Sequence, residues 1–133
     1  MAGKRFKKWK RPAMRHGKLT QWNWMGQHPK NLTLGKDTDI GAFCYINALN
    51  GVVIERDVQI GSHCAIYSVS TIDDKGGKVV LKENCRLGSH STVMPGVTIG
   101  KNAVVGAHSF VNKNIPDNVI AVGCPAKVLR KIT

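Results

Sequence analysis

The chain lacks any apolar run near the ~18 residues that a membrane-spanning helix requires. Its basic N-terminus has no apolar stretch behind it, which argues against a secretory leader and makes a cytoplasmic location the expectation. Aromatic residues are 6% of 133, so a core must come from aliphatic and small side chains. The four cysteines, Cys44, Cys64, Cys85 and Cys124, contain no CxxC pair. That spacing argues against a zinc site, so no metal is expected, and the missing secretory leader argues against a disulfide framework. Acids are scarce too, with eight Asp and Glu against twenty Lys and Arg, for a net charge of +12. Nine of those cations and no acid fall in residues 1–30, which leaves the remainder near neutrality. The basicity is therefore that of an arm, "MAGKRFKKWKRPAMRHGK". Such an arm is either solvated or suited to nucleic acid, anionic lipid or phosphate.

A six-residue period fills the rest. Leu34, Ile40 and Ile46 form one run, Ile54, Ile60, Ile66 and Ile72 a second, and Leu81, Leu87, Val93, Ile99, Val105 and Val111 a third. Four residues after each aliphatic the side chain is usually small, as at Thr38, Cys44, Asn50, Cys64, Ser70, Cys85, Ser91 and Ser109. Period six fits neither a helix nor a two-sided strand. It fits a short strand plus a tight corner, three of which close one coil of about eighteen residues. Stacked coils make an all-β parallel β-helix, with both repeating positions inward because they share strand parity. Cys44, Cys64 and Cys85 then read as small core residues, and glycine after the aliphatic suits the corner.

The count gives about four coils over 31–116, preceded by the arm at 1–30. Val52 and Val53 read as a small insertion, and "IDDKGGKVV" (72–80) as a corner loop. Residues 117–133 form a short C-terminal cap whose basic end has helical potential, and Trp22 and Trp24 are candidates to cover the other end.

Stacking the coils turns sequence into columns ~4.8 Å apart. The fourth residue of each hexad gives Asp37, Asp57, Asn84 and Asn102 on one edge, and Phe43, His63, His90 and His108 on another. Asx and His both tolerate the left-handed conformation that sharp corners use. Stacked imidazoliums would repel one another. A neutral imidazole is what a general base needs, so His63 and then His90 are the candidate catalytic residues.

The hexads "LGSHST", "VMPGVT", "IGKNAV" and "VGAHSF", followed by "NKNIPDNVIAVGCPAKVLRKI", resemble the hexapeptide-repeat acyltransferases. Within them the similarity is to the maltose, galactoside and nucleotide-amino-sugar acetyltransferases. The resemblance implies a left-handed β-helix, a homotrimer with active sites between subunits, and acetyl-CoA as co-substrate. It implies that Ser89 and Ala107 lie beside the pantetheine arm. It puts Asn112, Lys113, Lys127 and Arg130 at the phosphate and adenine end, and Asn47 at the acceptor. The sugar O-acetyltransferases carry a catalytic histidine in the longer counterpart of the corner loop. Here "STIDDKGGK" has none and offers Asp73 and Asp74, beside the pair Gly76-Gly77, as groups for a cationic amine.

The expectation is therefore acetyl transfer to the amine of a nucleotide-linked deoxyamino sugar, as in polysaccharide biosynthesis. Position and orientation would supply much of the rate, with backbone N–H groups at the glycine corners for the oxyanion. Sugar O-acetylation is the alternative. A second class is a non-catalytic β-helix that binds an anionic partner, such as nucleic acid or a membrane, through Phe6, Trp9 and the lysines of its arm. A zinc-dependent carbonic anhydrase of the same fold is a third.

Overall fold

The computed structural model describes residues 5–132, so the first four residues of the basic arm and Thr133 lie outside it. Strands of two or three residues alternate with tight corners and stack into three parallel faces. Face A holds Met25–Gln27, Tyr45–Asn47, Ala65–Tyr67, Thr92–Val93 and Phe110–Val111. Face B holds Leu32–Leu34, Val52–Ile54, Val79–Leu81 and Thr98–Ile99. Face C holds Asp39–Ile40, Gln59–Ile60, Arg86–Leu87, Val104–Val105 and Val119–Gly123, closed by the antiparallel strand Ala126–Lys131. The chain visits B, C and A in turn, as a solenoid of about five turns.

The core follows from the hexad parity. Ile46, Ile54, Ile60, Ile66, Leu81, Val93, Ile99 and Val105 are fully buried in a single cluster. The small inward residues at the corner between faces C and A have a further job. Cys44 Sγ donates to the Gly61 carbonyl at 3.0 Å, Cys64 Sγ to that of Gly88 at 3.2 Å, and Ser91 Oγ to that of Gly106 at 3.2 Å. Each coil thus satisfies a corner carbonyl of the next, which explains why this column takes small donors and not alanine. Cys85, on the neighbouring corner, has a thiol pushed up to about 12, first by burial and then by the Glu55 carboxylate. A thiol so shifted is an inert packing group.

The corner glycines are there for a reason other than backbone freedom. At Gly41 and Gly88 a Cβ would stand 2.5 Å from the backbone nitrogen of Ser62 and Ala107, respectively. Neither has a positive φ, so close coil-on-coil approach is what excludes a side chain. The positive φ falls two residues later, at Phe43, His63, His90 and His108 (59–64°).

Several expectations need correcting. The stack is about five turns and not four, because Met25–Gln27 pairs onto Tyr45–Asn47 at one end and Val119–Gly123 onto Val104–Val105 at the other. Val52 and Val53 are no insertion. Val52 is buried in register with Leu32 and Val79, so face B has two inward residues per strand in these coils. Asn50 is consequently exposed and Ser70 only half-buried, with Ala48 and Ser68 taking the inward places. The C-terminal segment is a β-hairpin, since its alternating Val-Ile-Ala-Val can continue face C where a helix would leave the last coil unpaired. Gly76 is exposed, but Gly77 is tightly packed: a Cβ there would lie 2.9 Å from the Gly96 Cα, and its N–H donates to Ser68 O at 2.9 Å.

The arm folds back over the first coil. Trp24 is buried as a plug while Trp22 is exposed, and Trp9 Nε1 donates to Thr38 O at 2.8 Å. Arg11 bonds Leu34 O, and Arg5 pairs with Asp39.

Candidate functional site

The corner between faces C and A carries the histidines. Three imidazoles project outward from consecutive coils, with ring centroids 4.7 Å apart for His63–His90 and 4.9 Å for His90–His108, nearly parallel. Phe43 continues the stack, 5.4 Å from His63. The backbone sets this spacing, because His63 N–H donates to Ala42 O, His90 N–H to Ser62 O and His108 N–H to Ser89 O. All three rings are exposed. His63 Nδ1 lies 3.0 Å from Ser62 Oγ, which orients that ring and leaves Nε2 for a ligand.

Beside the rings runs the column Ser62, Ser89 and Ala107, whose small side chains put little bulk along the edge. The corner glycines do not supply free donors as expected. The N–H groups of Gly61, Gly88 and Gly106 are spent on Leu87 O, Val105 O and Ala121 O at 2.8–2.9 Å. Among the described residues, the N–H groups of Ser62, Ser89 and Ala107 have no hydrogen-bond partner, although each nitrogen packs close under the corner glycine of the preceding coil.

The remaining candidates are spread over the molecule. Lys127 pairs across the hairpin with Val122, whose side chain lies against Gly106 and so at the end of the histidine column. Arg130 lies farther along the same strand, opposite Ile120. Asn112 and Lys113 follow the face A strand Phe110–Val111 and are exposed on the A–B side, away from Lys127.

Asn47 faces outward on face A. Its amide donates to Tyr45 OH at 3.1 Å and Gln27 Oε1 at 3.3 Å, and its carbonyl accepts Leu49 N–H at 3.1 Å. With Tyr67, 5.6 Å from Tyr45, these form a polar aromatic patch.

The corner loop is a small hairpin, Val69–Ser70 against Lys75–Gly76, on the A–B edge. Within one chain its acids are therefore on a different edge from the histidines. Asp73 accepts a hydrogen bond from Ser70 Oγ and lies 3.5 Å from Lys75 Nζ. The Ser70 hydroxyl first, and then Lys75, hold its carboxyl below the usual range, which favours a permanent anion over a base. Asp74 is exposed, and Ile72 at the tip is 99% exposed.

Sequence reasoning missed the outward column of face C, where Asp39, Gln59, Arg86 and Val104 stand in register. Each precedes its corner's left-handed residue by the same offset, and that regularity could have revealed it.

Comparison with known proteins agrees with this geometry. The family model described as bacterial transferase hexapeptide (six repeats) matches residues 78–113. A galactoside O-acetyltransferase of Lactococcus lactis subsp. lactis (strain IL1403) is 41% identical over 113 residues, covering 74% of this chain and 55% of the relative. Its counterpart in Escherichia coli (strain K12) is 34% identical over 119 residues, covering 78% and 59%. The chain thus spans little more than half the length of these relatives. A solved galactoside acetyltransferase in complex with coenzyme A superposes with a TM-score of 0.77 at 28% identity, covering 83% of this chain and 60% of that one. The match gives the solenoid its hand, a left-handed β-helix.

Proposed function

The chain belongs to the hexapeptide-repeat family, and from that premise we propose that it transfers an acetyl group from acetyl-CoA to a saccharide. The observation that carries this reading is the C–A edge, a column of small residues with unpaired N–H groups flanked by stacked imidazoles. A pantetheine arm fits such an edge because Ser89 and Ala107 put no bulk in its path. Lys127 would meet the donor's phosphates at the hairpin end, with Arg130 as a further contact, while Asn112 and Lys113, on the A–B side, would reach only a donor held on the edge of a neighbouring copy. The co-substrate supplies an activated acyl thioester.

The residues divide the remaining work. His63, with Ser62 holding Nδ1, takes the acceptor's proton at Nε2 as the acceptor oxygen or nitrogen attacks, and His90 is second choice. The unpaired N–H of Ser89 donates to the thioester oxygen as charge builds there. The proton then passes to the departing sulfur. Asn47, with Tyr45 and Tyr67, forms a contact surface for a sugar ring.

We take a hydroxyl as the acceptor in the first instance, since the relatives above are named for O-acetyl transfer. An amine is the second reading, favoured by a corner loop that has no histidine and offers Asp73 and Asp74 to an ammonium group. This reverses the preference reached from the residues alone. A trimer with the loop of one copy reaching the histidine edge of the next would unite the two edges. Light scattering on the purified chain tests that assembly.

The test of the activity is thiol release from acetyl-CoA over a panel of hydroxy and amino sugars, free and nucleotide-linked. Acceptor-dependent release is expected, and mass spectrometry of the product decides between ester and amide. No release with any acceptor would remove the acetyl-transfer reading.

A further inference from the structure

The groove on face C beside the histidine edge has no role in the scheme above. Its volume is about 350 Å³, and it is lined by Arg5, Gln59 and Arg86, by the corner glycines Gly61 and Gly88, and by a floor of Leu87, Val104 and Val105. Gly61 and Gly88 are the residues that open into Ser62–His63 and Ser89–His90, so the groove borders the reacting edge directly.

Its charges are unbalanced. The one carboxylate in the outward column, Asp39, is taken by Arg5. Arg56, on the adjoining corner, is taken by Glu83 at 3.1 Å. Arg86 is half-buried in the column and has no carboxylate partner among the described residues. Val104, next to it in register, is apolar and lines the same groove. Gln59, on its other side, adds an amide donor. A guanidinium with a fixed fork, an amide beside it and an apolar wall suits a phosphate or carboxylate, and does little for a neutral sugar. The N-terminal arm completes the site, because Arg5 comes from the far end of the chain to line the same groove.

We infer that this groove is an oxyanion subsite for the acceptor, which therefore carries a phosphate or carboxylate near its reacting group. The inference rests on the acetyl-transfer reading. It separates this chain's substrate from a neutral galactoside. The donor's own phosphates are the competing source of an anion. They are assigned instead to the hairpin end of the edge, beyond His108.

Calorimetry on the full chain, with galactose 1-phosphate, galacturonate and galactose as probes and with acetyl-CoA absent or saturating, tests the assignment. At least one of the two anionic sugars is expected to bind ten or more times tighter than galactose, and saturating acetyl-CoA leaves that binding in place. R86Q should bring all three within about threefold of one another. R86K, which keeps the charge without the fork, should retain part of the preference. In turnover, R86Q raises KM for an anionic acceptor and leaves KM for acetyl-CoA unchanged. Equal binding of the three sugars, or a preference that survives in R86Q, overturns the inference. So does displacement of the anionic sugar by acetyl-CoA, which would give the groove to the donor. If no acceptor releases thiol, acetyl transfer fails by that assay, while the calorimetric preference still decides whether the groove binds an oxyanion.

Discussion

Two corners of this solenoid share one backbone and differ in everything attached to it. At the corner between faces B and C the left-handed residues are Asp37, Asp57, Asn84, Asn102 and Asn118. At the corner between faces C and A they are Phe43, His63, His90 and His108, with the same φ to within a few degrees. The first column bonds to itself, Asn84 Nδ2 to Asn102 Oδ1 at 2.9 Å and Asn102 Nδ2 to Asn118 Oδ1 at 3.0 Å. The second stacks without a hydrogen bond between its rings, and only His63 has a side-chain partner, Ser62. Asx residues meet the conformational demand and add cross-coil bonds, so that edge is explained by stability. Imidazoles meet the same demand and leave their nitrogens outward. The contrast supports the proposal that the C–A edge is the one kept for chemistry.

The largest expected effect separates the two edges by function. His63→Asn preserves a residue that accepts a left-handed backbone, so the unfolding free energy should move by no more than about 0.5 kcal/mol. The acetyl-transfer rate should fall ~10²–10⁴-fold if His63 is the base. A His63→Asn variant at full rate, beside a His90→Asn variant that loses it, would move the base to His90. Next comes Gly88→Ala, which drives a methyl group into the backbone of Ala107. A loss of about 1–3 kcal/mol in urea unfolding is expected, with a concurrent loss of activity as the coils carrying Gly88 and Ala107 are forced apart.

On the other edge, Asn102→Ala removes two side-chain hydrogen bonds and places alanine at a φ of 61°. A loss of about 2 kcal/mol with an unchanged rate would confirm that this column is structural. The smallest effect is expected from Asp73→Asn. Ser70 and Lys75 favour its ionised form, so the carboxylate is already charged throughout the neutral range, and protonation sets in only below the ordinary carboxylate range. Neither limb of the pH–rate profile should move, and a shifted limb would make Asp73 the base.

Much of this was legible from the hexads. The inward and outward columns follow from strand parity alone, so the histidine edge emerged by stacking residues at one offset. The ends were legible only in part, for physical reasons. Trp24 and Gly26 close the first turn without the aliphatic-plus-small pattern, because an end coil needs a plug more than a repeat unit. The C-terminal segment alternates like an edge strand, yet its basic residues are equally good helix formers, and only the unpaired last coil decides between them. Val52 was misplaced because the face B strands of these coils carry two inward residues each, where the hexad predicts one. The Arg86 groove was hidden by distance along the chain. Arg5, Gln59 and Arg86 meet only after the coils stack and the arm folds back.

The even spacing of the rings has one more consequence. A ligand that slides along the edge by one coil meets the same small residue, the same N–H and another imidazole 4.7–4.9 Å on. The edge is a graduated scale without a zero mark. The zero comes from the two ends, Phe43 at one and the hairpin over Gly106 at the other. Under the proposed reaction, which histidine faces the reacting carbon is a question of counting from the ends, and a chain with one coil more or fewer would keep the same set of groups while changing the length of what it measures.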